Sequence, residues 1–408
     1  MIRDPAYKPR LRPLEAFPLD GGGPEADGRI GLRDASGISE AMLLVSPPAL
    51  QLLALMDGNS TCRDIRNGFR ERVGVGVSDE ILDGLLDHLE EAKFLEGPAF
   101  EAHYQSLVEA YLNQSSRPMR DAAGLGIVDD SGTLFDEMCR AVEAAHVPGR
   151  IVGVVAPHLD YPRGAPCYGR SYRTLKGRPA PELAVILGTN HFGRSTSVVS
   201  TAAAFSTPLG TTKCDVGFLE SLEARCGALR TYELDHACEH SVELQVAWLQ
   251  YLFGAENFEL VPFLCPDPCG PTGTAPYDGR GVDLKVFAQQ LGERIRESKR
   301  DVLVVAGADL SHVGHAFGDE AELDDAFLES VRRRDAEALE CYAAGDPEGF
   351  VRSLSAAHNA TRVCSAGCLY ALATALPDAA PTLLGYHQAV DRTTQACVTC
   401  CSVVFCQD

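Results

Sequence analysis

Apolar residues in the first hundred positions recur with a helical period, whereas beyond about position 150 they gather into short continuous runs. Residues 47–56 (PPALQLLALM) predict a short apolar helix that Asp57-Gly58 stops. Ser60-Thr61 offers a cap for a second helix, Cys62–Val73, in which Ile65 and Phe69 lie four apart. Ser78 caps a third, where Ile81, Leu82, Leu85, Leu86 and Leu89 recur at helical spacing before Phe94-Leu95 and Gly97-Pro98. This pattern predicts a small helical, winged-helix-like domain over residues 1–100, entered through an irregular Gly-, Pro- and charge-rich stretch at 1–40. Residues 101–118 continue as a helical linker that ends in the polar stretch 113–118.

From 119 onward the pattern changes. Apolar, β-branched runs predict buried strands at Arg150–Ala156, 183–187, 258–263, 302–306 and 397–406. Helical stretches fall at Val216–Cys226, 241–253, 282–298 and 320–332. Strands alternating with helices predict an α/β fold over 119–408, a central mixed sheet flanked by helices.

The 408 residues carry 57 acidic against 36 basic side chains, a net charge of −21. Such a surface repels phosphate backbones and anionic lipid, which argues against nucleic-acid and peripheral membrane partners. No stretch approaches the roughly 18–20 uninterrupted apolar residues of a membrane helix, and the start (MIRDPAYKPRLRP) has no apolar signal core, so the chain reads as cytoplasmic. Fifteen cysteines without export features make a disulfide framework a poor expectation, and most should be small buried hydrophobes. Those of the 397–406 run alternate across the pleat, which suits a structural role rather than a thiolate cluster.

Three of the eleven histidines share one placement. His158, His191 and His312 follow predicted buried strands, in VVAPHLDYP, VILGTNHFG and VVAGADLSHVGH. Sites in open α/β sheets assemble at strand C-termini, so these strands are expected to deliver three imidazoles to one crevice. A single histidine there is ordinarily a solvated loop residue; three placed alike point to a shared site. Glu239 and His240 open a predicted helix, with Glu243 about one turn on. Acid placement at a helix N-terminus accounts for the glutamates but not for His240. Cys364 precedes an apolar helix, where the dipole favours its thiolate, which makes it the best candidate ligand or nucleophile among the cysteines. The C-x-x-x-C spacing it shares with Cys368 is weak by itself, since Cys265 and Cys269 repeat it in an apparent loop.

Taken together, APHLDY (156–161), ILGTNHFG (186–193), EHSVELQVAWL (239–249), GADLSHVG (307–314) and the Cys364 segment resemble the Memo family in order and approximate spacing. Bacterial members of that family are called AmmeMemoRadiSam system protein B. Residues 120–126 (RDAAGLG) look like a degenerate form of its opening Ala-Gly-Ser-aromatic-Tyr signature. The resemblance covers about 119–408; the first hundred residues resemble, in pattern only, the PqqD-like modules that hold leader peptides. What the Memo resemblance implies is a fold related to class III extradiol dioxygenases with one mononuclear metal ion held by His158, His191 and Cys364. It places Glu239, His240, Asp309 and His312 around that ion in supporting or acid–base roles. Phe192 stands where a second His is frequent and Gln245 where family helices carry another.

Two imidazoles and a thiolate suit Fe(II), Cu or Zn and disfavour Mg or Ca. A thiolate in place of the extradiol carboxylate argues against ring cleavage. The expected activity is therefore a metal-dependent, oxygenase-like redox reaction on a small molecule or peptide, with radical-SAM and AMMECR-type proteins as partners implied by the resemblance. The alternatives are a non-catalytic peptide- or metal-binding protein using the same crevice, and a metal-trafficking protein drawing on the cysteines.

Overall fold

A computed structural model describes residues 4, 6–18, 28–120 and 127–407. The chain divides into two compact units, Met1–Asn113 and Gln114–Asp408.

In the first unit three short antiparallel strands, Glu15–Pro18, Ile30–Arg33 and Met42–Val45, precede helices Pro47–Leu53, Cys62–Val73, Asp79–Glu91 and Pro98–Leu112. The Thr61 side chain and Asp64 form a reciprocal cap on the second helix, and Gly74 ends it in the left-handed conformation. Ser78 caps the third by accepting from the Ile81 amide. Leu52, Ile65, Phe69, Leu82, Leu86, Leu89 and Phe94 form the core, whereas Ile81 is exposed. The irregular lead-in expected at 1–40 instead contains two of the three strands. At four residues each, they are too short for a two-residue period to register. The expected linker at 101–118 is also divided: helix Pro98–Leu112 lies in the first unit, and Ser116–Pro118 is a strand of the second.

The second unit is built on an eight-stranded mixed sheet. Its centre is four parallel strands in the order Arg150–Ala156, Val302–Gly307, Leu183–Thr189, Glu259–Cys265. Along Leu183–Thr189, Leu183, Val185 and Leu187 enter one hydrophobic cluster, and Ala184 and Ile186 enter the other. Both faces are therefore covered, which is why these strands read as unbroken apolar runs. Helices Tyr161–Arg173 and Glu243–Phe253 supply one cluster, and Val216–Cys226, Leu284–Ser298 and Ala366–Ala375 the other. Full burial of each Val, Leu or Ile here contributes about 1.5–3 kcal/mol. The long strand Ala396–Gln407 runs antiparallel to Arg150–Ala156 with its second half and to Asp309–Val313 with its first. Ala380–Asp391 covers its other edge.

The α/β architecture, a mixed sheet flanked by helices, is the one the sequence predicts. Ala380–Asp391 was not legible because it is mostly half-buried and carries no long apolar run. Tyr161–Arg173 was obscured by Pro162, Pro166, Gly164 and Gly169, which read as turn residues. The predicted helix at 320–332 begins later and runs longer, as Asp325–Ala343. All fifteen cysteines are free, and Cys397, Cys400 and Cys401 are buried. Residues 121–126, which hold most of the degenerate opening signature, lie outside the described residues.

Candidate functional site

Parallel strands bring their C-termini to one edge. His158 lies two residues past Ala156, His191 two past Thr189, and Asp309 two past Gly307. Between them passes the turn that carries Glu239, His240 and Ser241. It fits because two strand-end residues have no side chain. A Cβ at Gly188 would strike Ser241 Oγ, and one at Gly307 would strike the Ser241 carbonyl.

His158 is 2% exposed. Its Nδ1 lies 3.0 Å from the Gly307 carbonyl, which sets the proton there and leaves Nε2 free. Nε2 is 3.3 Å from Cys364 Sγ and 3.5 Å from Asp309 Oδ2, while the His158 amide donates to Asp309 Oδ1. His191 Nδ1 stands 3.1 Å from each oxygen of Glu239, whose carboxylate also accepts from the His191 and Ser241 amides. A carboxylate on Nδ1 is the usual means of aiming Nε2 of a metal-binding imidazole. One ligand atom each from His158, His191 and His240 lie within 4.8 Å of one another. Nitrogens sharing an ion at about 2.0–2.1 Å stand no more than about 4 Å apart, so these rings are close to coordination spacing. With the adjacent thiol, the donor set fits a borderline or soft transition metal.

Burial and mutual repulsion set the charges. His158 is held well below the ordinary imidazole range by burial and by the neighbouring His191 and His240. Burial lowers His240 to about 4, against the pull of Glu239. Burial also opposes a charge on His191, but Glu239 and Cys364 outweigh it and its pKa is raised well above the usual value. Glu239 is correspondingly held well below the carboxylate range by His191 despite its burial. Burial pushes Asp309 up to about 7, against the Leu159 and His158 amides. These shifts favour charge on the His191–Glu239 pair and neutrality at His158 and His240, and the neutral imidazole is the form that binds metal.

Several sequence expectations change in detail. The third imidazole at ligand spacing is His240, not His312. His312 lies on the strand Asp309–Val313, where its Nδ1 meets the Leu310 carbonyl, its ring packs edge-on against Phe317, and burial lowers it to about 4. Glu239 and His240 precede helix Glu243–Phe253 rather than opening it. Neither glutamate is a solvated helix-dipole acid: Glu239 holds His191, and buried Glu243 pairs with Arg117. The Cys364 thiol is raised by burial, with His191 opposing, rather than lowered as its place before a helix suggested. Cys265 ends a strand instead of lying in a loop. Gln245 donates to the Pro157 carbonyl and accepts from Tyr172 Oη, bracing the His158 loop. Phe192 is exposed at the rim, its ring 5.6 Å from His191 and 6.4 Å from His240.

Residues 122–404 match the family model for Memo-like proteins. The chain belongs to that family. Among MEMO1 family proteins, that of Aquifex aeolicus is 26% identical over 337 residues, covering 81% of this chain and 83% of its own length. TTHA0924 of Thermus thermophilus is 30% identical over 317 residues, 76% of this chain and 87% of the relative. MK0963 of Methanopyrus kandleri is 35% identical over 170 residues, and the match spans only 54% of that protein. The Aquifex and Thermus alignments are longer than the 122–404 match, so the Memo-like relatives share sequence with this chain beyond the family core. Among the described residues, no helix is long and apolar enough to cross a membrane.

Proposed function

We propose that this Memo-like protein holds one mononuclear metal ion, Fe(II) or Cu before Zn, between His158, His191 and Cys364, with His240 as a fourth donor within reach. The reading is carried by the convergence of three imidazoles within 4.8 Å and a thiol 3.3 Å from one of them. When bound, iron or copper supplies redox chemistry at coordination positions the protein leaves open. The chain's own residues orient and protonate. Glu239 aims His191, the Gly307 carbonyl fixes the His158 tautomer, and Asp309 Oδ2 holds a proton near neutral pH beside His158 Nε2. His312, held neutral by its burial, is an acceptor for a substrate proton. The substrate is a small molecule or peptide handled in the cytoplasm, together with radical-SAM and AMMECR-type proteins.

A second reading, peptide binding without turnover, is favoured by one feature. A groove lined by Asn190, Ser195, Thr196, Pro266, Asp267 and Tyr277 opens beside the His191 loop. Metal analysis of anaerobically purified protein and of His158→Ala, with peptide capture by both, separates the two. The redox reading expects about one ion per chain in the wild type and little in the variant. Undiminished peptide capture by a wild-type chain lacking stoichiometric metal would favour the second reading.

A further inference from the structure

Residues 236–243 cross the site as a turn, between the end of the short helix Glu233–His236 and the start of Glu243–Phe253. A buried turn leaves carbonyl groups without helical or strand partners, and these need donors. One side chain provides several. Arg117, 2% exposed in the strand Ser116–Pro118, donates from Nε to the His236 carbonyl and from Nη2 to the Glu239 carbonyl, both at 2.5 Å. Its Nη1 donates to the Glu243 carboxylate, also at 2.5 Å. The guanidinium lies 5.2 Å from the ring of Phe205, its register partner on the neighbouring strand. The fork is therefore fixed along its edges by these acceptors, with a ring against one face.

The gripped segment is the one that presents Glu239 to His191 and His240 to the cluster. We propose that Arg117 is a positioning residue for this centre: by holding the 236, 239 and 243 positions at once, it sets the turn that aims His191 and brings His240 to ligand spacing. The inference rests on the metal reading above. It concerns a residue that the sequence places in a polar stretch with no motif around it. Lysine keeps the charge but not the rigid three-way fork, so Arg117→Lys isolates geometry from charge. Glu239 remains present in that variant but is no longer anchored through its carbonyl.

The test is anaerobic cobalt(II) titration of the full chain, followed by visible absorption, with folding checked by circular dichroism. Arg117→Lys is expected to weaken cobalt binding by about 10–100-fold, as changes to groups supporting metal ligands do, and to shift the ligand-field bands. Arg300→Lys is the control. Arg300 pairs with Asp215 and Glu259 near the opposite, N-terminal ends of the strands, so its loss should lower thermal stability while leaving affinity and spectrum unchanged. Affinity within twofold of wild type and an unaltered spectrum in Arg117→Lys would reduce Arg117 to a structural residue and overturn the proposal. If Arg117→Lys does not fold, Glu243→Gln decides, since it keeps the two carbonyl contacts and removes the charged third. A severalfold loss of affinity is expected, and none would overturn the proposal. Wild type that binds no cobalt, or binds it no better than His191→Ala, identifies the metal reading itself as the failure.

Discussion

The parallel core and the innermost residues of the crevice at its C-terminal edge are both buried but held together differently. In the core, Val185, Leu187, Val304 and Val305 are fully buried apolar side chains whose neighbours are interchangeable in kind. In the crevice, burial is nearly as complete at His158, Glu239 and Asp309, yet each of these requires a specific partner. Loss of a core side chain opens a cavity and costs stability. Loss of a crevice side chain orphans a polar neighbour and changes what the site can bind. Stability and binding should therefore respond separately to changes in the two regions.

The largest expected separation is between Leu187→Ala and His191→Ala. The first should cost about 2–5 kcal/mol of folding stability and leave metal stoichiometry per folded chain unchanged. The second should remove most of the bound metal with a smaller change in stability. Chemical denaturation paired with metal analysis reads both, and metal loss in Leu187→Ala at full folding would dissolve the distinction. Next comes Glu239→Gln, which keeps the shape but removes the charge on His191. Metal affinity should fall by about 10–100-fold, and an isotherm superimposable on wild type would show that the carboxylate is only a packing partner.

Acidity probes the same contrast without mutation. His240 is lowered to about 4 in the fold against about 6.5 in an unfolded chain, so the unfolded state binds more protons below that value. The metal-free protein should therefore lose stability through this group as pH falls from about 6.5 toward 4. The raised His191 works oppositely: its contribution is present below about 6.5 and disappears as pH rises through its folded value. Denaturation of metal-free His240→Gln across this range should show a shallower acid loss than wild type, and parallel curves would exclude His240 as a source. The smallest effect is reserved for the rim. Phe192→Ala should leave metal affinity and stability nearly unchanged while weakening any aromatic or peptide ligand, a difference that calorimetry with a bound candidate would detect.

These differences also explain what could be read from the sequence. The four parallel strands were legible because both of their faces are apolar, and the capped helices because Thr61 and Ser78 announce their starts. His158 and His191 were legible because they follow such strands directly. The role of His240 as the third neighbouring ring was not, because it depends on a turn admitted by Gly188 and Gly307 on strands far away in sequence. Arg117 had no signal at all: a lone arginine between Ser116 and Pro118 acquires its partners only when strand Ser116–Pro118 pairs with Ala204–Thr207.

The central claim is that two imidazoles and the Cys364 thiolate share one ion, and X-ray absorption at the edge of the metal present after anaerobic purification tests it most directly. The account predicts nitrogen scatterers at about 2.0–2.1 Å and one sulfur scatterer near about 2.3 Å, with the sulfur shell absent in Cys364→Ala. A first shell of nitrogen and oxygen alone in the wild type, unchanged in Cys364→Ala, would contradict it and return the site to its three imidazoles.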